Sequence, residues 1–288
     1  MQTQSKRKLA LALLLAVILI FASTATACPR PSQTLSLTVH FIDVGQGDAI
    51  LIDLGSIEVL IDGGEKSAGP RLISYIAPFV QGPLEVVVAT HPHADHIGGL
   101  PDVFAAFQVE QVFYNGETST SKSYANFTSA VQSENAAVHV ARRDEVITIG
   151  ALAMKVLNPS NLTGTTNNNS LVISLTYGSI DFLFTGDAEQ EAETDMLANG
   201  IIEHAEILKV GHHGSRTASS LAFLAVVKPE VAAYSTGIGN SYGHPHAETI
   251  LALQNIGAMI YGTDVNGTID VKTDGKTYTV QLERGQAR

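Results

Sequence analysis

Residues His91 to His96 read His-Pro-His-Ala-Asp-His, so four side chains able to ligate a metal stand within six positions. A short loop can turn His91 and His93 toward one cation and Asp95 with His96 toward another, and imidazole combined with carboxylate suits zinc or another first-row divalent ion. Further ligand types follow. The segment Asp181 to Asp187 (DFLFTGD) is an apolar run that delivers a carboxylate at its end, where Asp187 either bridges two cations or caps the helix beginning near Glu189. Ile207 to Ser215 (ILKVGHHGS) repeats the arrangement with His212 and His213. Three apolar runs therefore end in His or Asp, and their convergence is more specific than any one of them.

Strands are needed to hold these groups. Leu84 to Thr90 is a short β-branched run that reads as a strand covered on both faces and leads straight into His91. Leu37 to Ile42 is predicted as a strand, and Ala49 to Leu54 with Ile57 to Asp62 as a hairpin closed by Gly63-Gly64. Helices are expected over Arg71 to Val80, Leu100 to Phe107, Ser123 to Glu134, Glu189 to Asn199, Ser219 to Val226 and His246 to Ile256. The intervening strands are Gln111 to Tyr114, Ala137 to Ala141, Val146 to Ile149, Leu152 to Leu157, Leu171 to Tyr177, Ile180 to Phe184, Ala205 to Val210, Val231 to Ser235, Met259 to Tyr261, Thr268 to Val271 and Thr277 to Leu282. No linker composition interrupts this stretch, so one domain is expected over 37–285, with two packed sheets and helices outside.

The composition, 45% hydrophobic and 16% charged over 288 residues, suits a globular chain. Residues 1–27 read as an export signal: Lys6-Arg7-Lys8, then 13 apolar residues from Leu9 to Phe21, then small residues ending Ala25-Thr26-Ala27. A bilayer-spanning helix needs about 20 residues, so export outranks a permanent span. Cys28, the one cysteine, leaves two endings open: ordinary cleavage and secretion, or a lipoprotein box in which Cys28 carries a lipid anchor. Residues 28–36 form a Pro/Ser/Gln linker. Loss of the signal moves the formal charge from −11 to −14. A protein that binds nucleic acid by neutralising phosphates shows a basic stripe, and apart from Arg142-Arg143 none follows residue 8. A polyanionic substrate would have to be held by metal ions and local groups.

Taken together, 37–285 resembles the metallo-β-lactamase superfamily. Within it, Phe41 to Ala49 (FIDVGQGDA), Leu60 to Gly64 (LIDGG), Asn167 to Leu171 (NNNSL), Leu208 to Ser215 (LKVGHHGS), Tyr242 to His246 (YGHPH) and Tyr261 to Ile269 (YGTDVNGTI) are similar to the hydrolase domain of ComEC-type competence proteins. The resemblance implies an α+β fold, a four-layered αββα sandwich, with the metals at the edge between the sheets. It makes His91 and His93 ligands of a first metal, Asp95 and His96 ligands of a second, and Asp187 the bridge. His213 becomes the last ligand of the second metal, with His212 the alternative. Asp62 would brace the metal loop by hydrogen bonds, or serve only as a turn residue. Asp43 and Asp48 are read as structural, as is His139.

Many members of the superfamily bring a third histidine to the first metal from the loop before the strand of Asp187. Here that loop reads Thr166 to Ser170 (TNNNS) and has no histidine. The first metal is therefore expected to be under-coordinated and weakly held, completed by water, an Asn side chain or substrate. The implied reaction is hydrolysis by a metal-activated water, with zinc or manganese, on a phosphodiester such as DNA. Asp95, Asp187 and His244 form the catalytic set, and His244 binds a phosphate oxygen or protonates the leaving group. His246 reads as a helix start, and Lys209 as either a buried, paired lysine or a cation near the site. Alternatives are an exported phosphorylcholine esterase, lactonase or β-lactamase, or, in another class, a non-catalytic metal-dependent binding module of the cell envelope. No protein partner is indicated.

Overall fold

The protein is described by a computed structural model covering residues 36–287. The expected export signal and Cys28 lie outside the described residues. The first half contains strands β1 (Leu37–Phe41), β2 (Ile50–Asp53), β3 (Glu58–Ile61), β4 (Leu84–Ala89), β5 (Val109–Tyr114) and β6 (Ala137–Val140). The second contains β7 (Val146–Ile149), β8 (Leu152–Asn158), β9 (Val172–Tyr177), β10 (Ile180–Phe184), β11 (Ile207–Lys209), β12 (Val231–Tyr234) and β13 (Met259–Gly262). β14 (Ile269–Thr273) and β15 (Tyr278–Leu282) return to the first sheet.

Two mixed sheets result, in the orders β15-β14-β1-β2-β3-β4-β5-β6 and β13-β12-β11-β10-β9-β8-β7. β3 to β6 are parallel, as are β10 to β13, while hairpin neighbours are antiparallel. Period-2 alternation explains the layering. Val39, Ile52, Val59, Ile61, Val86 and Val88 of the first sheet meet Phe182, Phe184, Ile207, Val231 and Ala233 of the second in one core. The opposite faces are covered by helices. Leu51, Leu60 and Val87 pack under α1 (Gly69–Ile76), α2 (Ala94–Ile97), α3 (Leu100–Ala106) and α4 (Lys122–Ser133). Leu183, Leu208, Ala232 and Tyr234 pack under α5 (Gln190–Ala198), α6 (Leu221–Val227) and α7 (Ala247–Asn255). This is the four-layered αββα sandwich.

Element ends differ from expectation where punctuation decides them. α1 stops at Ile76 rather than Val80, because Pro78 has no N–H to continue the ladder. Among the described residues, no helix is long and apolar enough to cross a membrane.

Candidate metal centre

The parallel strands β3 and β4 of one sheet and β10 to β12 of the other end at the same edge, so the residues just after them meet there. Asp62 follows β3 with φ +60°, a left-handed conformation that Asp tolerates better than most residues. Its Oδ1 accepts from the Thr90 N–H at 2.8 Å and its Oδ2 from the Thr90 hydroxyl at 2.7 Å, tying the end of β3 to the end of β4. The same Oδ2 lies 2.7 Å from Nδ1 of His96, which fixes that ring with Nε2 turned toward Asp187. A carboxylate on one imidazole nitrogen, leaving the other free, is how metal-ligating histidines are oriented.

The loop around the centre is held from a third side. The Asp48 N–H donates to the Asp95 carbonyl at 3.1 Å, and a Cβ at Gly47 would collide with that same carbonyl oxygen, so the glycine permits the approach. Asp187 is 2% exposed, and its N–H donates to the Ser170 hydroxyl, which also sits 3.2 Å from Nδ1 of His91. The Asn loop turns out to be a brace. Asn168 Oδ1 accepts from the N–H groups of Glu189 and Ala192 at the start of α5, and Asn169 Oδ1 accepts from Thr163 N–H. Asn167 alone faces the centre, its Nδ2 standing 3.4 Å from both Glu189 Oε1 and His212 Nδ1.

Asp187 has two oxygens, and each gathers its own imidazoles. Oδ1 lies 3.2 Å from His96 Nε2 and 3.5 Å from His213 Nε2, and the latter is 3.2 Å from Asp95 Oδ2. Oδ2 lies 3.7 Å from His91 Nε2, which is 3.0 Å from His93 Nδ1. Asp48, His96, Asp187 and His213 thus form one group with ligand atoms within 4.8 Å of one another, and His91, His93 and Asp187 form a second. Asp48 reaches its group from behind. Its Oδ1 is 3.3 Å from Nδ1 of His213, the nitrogen turned away from Asp187, and its Oδ2 pairs with Lys209 Nζ at 2.8 Å.

His212 and His213 are consecutive residues at φ +47° and +55°. Left-handed backbone costs about 1–2 kcal/mol for each non-glycine residue, and such strain collects at functional sites. His213 Nδ1 lies 3.0 Å from the Ser235 carbonyl, while His212 Nδ1 lies 2.9 Å from Glu189.

Burial alone would raise every carboxylate here; neighbouring cations reverse it at Asp48, Asp95 and Asp187, while Asp62 stays raised despite the His96 ring beside it. The Lys209 ammonium and the His213 ring hold the Asp48 carboxyl at about 2. His213 and His96 keep Asp95 and Asp187 well below the usual carboxylate range. Burial pulls His96 and His213 down, but the carboxylates outweigh it and raise both; His91 is lowered by burial and by His96. Nε2 of His96, Nε2 of His213 and Oδ1 of Asp187 are buried without a hydrogen-bond partner. Orphaned atoms of that kind cost about 1–3 kcal/mol each. Two imidazole nitrogens and a carboxylate oxygen aimed at one point suit a divalent cation, so the donor set fits the metal implied by the sequence.

His244 stands at the rim, half-buried, stacked on the exposed Tyr242 at 5.7 Å and edge-on to His212 at 5.4 Å. Burial, then the positive charges of His213 and His212, push it down to about 4. His246 precedes α7 and accepts from the Arg216 N–H. His139 stacks on Phe113, and Asp43 pairs with Arg71 and Arg284, all away from the cluster. Sequence reasoning missed Ser170, Glu189 and Thr217, short-range partners whose signal was only their nearness to the Asn loop, the strand of Asp187 and the His pair.

Comparison with known proteins bears on the family and the fold. The family model described as Metallo-beta-lactamase superfamily matches residues 42–238. ComE operon protein 3 of Bacillus subtilis is 31% identical over 264 residues, covering 85% of this chain and 34% of that protein. Recombination protein 2 of Haemophilus influenzae is 29% identical over 255 residues, covering 87% and 30%. The chain therefore spans about a third of the length of these relatives. Among solved structures, the metallo-beta-lactamase fold protein YhfI from Bacillus subtilis superposes with a TM-score of 0.58 at 14% identity, covering 83% of this chain and 99% of that one. CmlA, a diiron beta-hydroxylase from Streptomyces venezuelae, gives 0.56 at 11%, covering 82% and 54%. At such identities the likeness shows the fold alone.

Proposed function

The chain belongs to the metallo-beta-lactamase superfamily, and from that premise we propose that it is a metal-dependent phosphodiesterase acting on DNA or another extracellular phosphodiester. The observation that carries this reading is Asp187, whose two buried oxygens each face a separate set of imidazoles. Paired ions about 3.5–4 Å apart that share a carboxylate suit in-line displacement at phosphorus. Bound there, zinc or manganese would supply Lewis acidity and a water acidified toward neutrality. The chain's own groups do the rest: His91 and His93 hold the open side, Asp95, His96 and His213 the buried side, and neutral His244 offers a hydrogen bond to a phosphoryl or leaving-group oxygen. A relative named as a recombination protein favours nucleic acid as the substrate.

The acidic balance of the chain favours a second reading, a smaller ester such as a phosphorylcholine ester or a lactone. The metal-loaded protein is expected to cleave bis-nitrophenyl phosphate and single-stranded DNA and to leave a cephalosporin intact. Failure on both phosphodiesters under zinc and under manganese would end the nuclease reading. Export with cleavage or lipidation at Cys28 belongs to the same proposal, and radiolabelled lipid uptake by wild type and Cys28→Ser separates the two endings.

A further inference from the structure

We propose that His212 is the third imidazole of the first ion position, taking the place of the histidine that the loop Thr166 to Ser170 lacks. Its Nε2 lies 3.8 Å from Asp187 Oδ2, matching the 3.7 Å of His91 Nε2 from the same oxygen. Nitrogens about 2.0–2.1 Å from a tetrahedral zinc stand about 3.3 Å apart. His91 and His93 are near that spacing at 3.0 Å. His212, which is not in the 4.8 Å group they form with Asp187, would close in from the far side of Oδ2 as the ion binds. The assignment makes the centre symmetric about Asp187, with His91, His93 and His212 on the Oδ2 side and His96, His213 and Asp95 on the other.

Two further observations single out His212. The left-handed backbone at both His212 and His213 sends successive side chains to the two oxygens of one carboxylate. The ring is also oriented as a ligand is. Nδ1 lies 2.9 Å from Glu189 Oε1, the oxygen that also accepts from the Thr217 hydroxyl at 2.6 Å, so Nε2 is left facing the cluster. A surface ion pair with Glu189 would account for the Nδ1 contact but gives no reason for a histidine to occupy strained backbone.

The inference rests on the two-ion reading, and the test separates the two. Zinc uptake by the full, metal-free chain is followed by calorimetry and by metal analysis after dialysis. Wild type is expected to take up two ions. His212→Gly keeps the left-handed turn without strain and should melt, metal-free, no lower than wild type. It is expected to bind one ion as wild type does and the other at least about 100-fold more weakly, since even outer partners of a ligand cost 10–100-fold. Glu189→Gln is expected to weaken that same ion by about 10-fold. Two ions bound by His212→Gly with wild-type affinities would overturn the inference and leave the two-ion reading standing. Fewer than two ions on wild type would overturn both.

Discussion

Strands β2 and β3 carry buried or half-buried carboxylates at both ends and β4 at one, and Asp48 and Glu58, at opposite ends, are shifted in opposite directions. At the edge that holds the metal ligands, Asp48 and Asp62 face Lys209, His213 and His96. At the other, on the order of 13 Å away along β3, Asp53, Glu58 and Glu85 lie together, with Glu58 paired to Asp53 across the ladder and its N–H donating to Glu85. No ion pair to Glu58 or Glu85 occurs among the described residues. Burial first, then Glu85 and Asp53, push Glu58 up to about 7, whereas Asp48, though fully buried, stays at about 2. Buried carboxylates keep their charge only where cations oppose them. At the metal edge Asp48 therefore holds its charge against Lys209 and His213, while burial raises Asp62, which has only the His96 ring opposing it; the opposite end tolerates negative charge by taking up a proton.

The sharpest way to break this contrast is Asp187→Asn, which removes the charge shared by both groups. Hydrolysis is expected to fall by about 10³ or more in kcat, read with a chromogenic phosphodiester. Next is Lys209→Met, which leaves the buried Asp48 with only the His213 ring beside it. Breaking one side of a buried pair costs about 3–5 kcal/mol, and urea unfolding should show it, with Asp48→Asn in the same chain recovering most of the loss.

Asp62→Asn should act on His96 rather than on folding. An outer partner of that kind is worth about 10–100-fold in metal affinity, measurable by competition with a chelator. The smallest effect is expected at the far end. Because the folded Glu58 carboxyl sits at about 7, above its ordinary 4.5, wild type holds an extra proton when folded and loses stability as pH rises through that window. Glu58→Gln should therefore melt higher than wild type at pH 8 and nearly the same at pH 4. Screening through the solvent-facing Asp53 and Glu85 limits the gain to about 1 kcal/mol, or about 2–4 °C. Metal binding should not change.

The contrast also explains what could be read from the chain. His91 to His96 was legible because its ligands are contiguous, and Asp187 and His213 because each ends an apolar run. Asp62 was legible as a turn aspartate beside a strand end. The pairing of Lys209 with Asp48 was not, since one closes β11 and the other precedes β2 in the opposite sheet, and no local pattern announces a pair between sheets. An Asn side chain is one of the three expected completions of the first metal; in the fold, Asn168 and Asn169 are spent on backbone N–H groups, which only the path of the loop could reveal. The direction of His212 depends on two positive φ angles, and a His-His dipeptide does not disclose them.

Diffraction from metal-soaked crystals at the zinc or manganese absorption edge tests the central claim most directly. Two anomalous peaks are expected, one on each side of Asp187: one among His96, His213 and Asp95, the other among His91, His93 and His212. A single peak, or a second one with Asp187 outside its ligand shell, would contradict a two-ion centre built around that carboxylate.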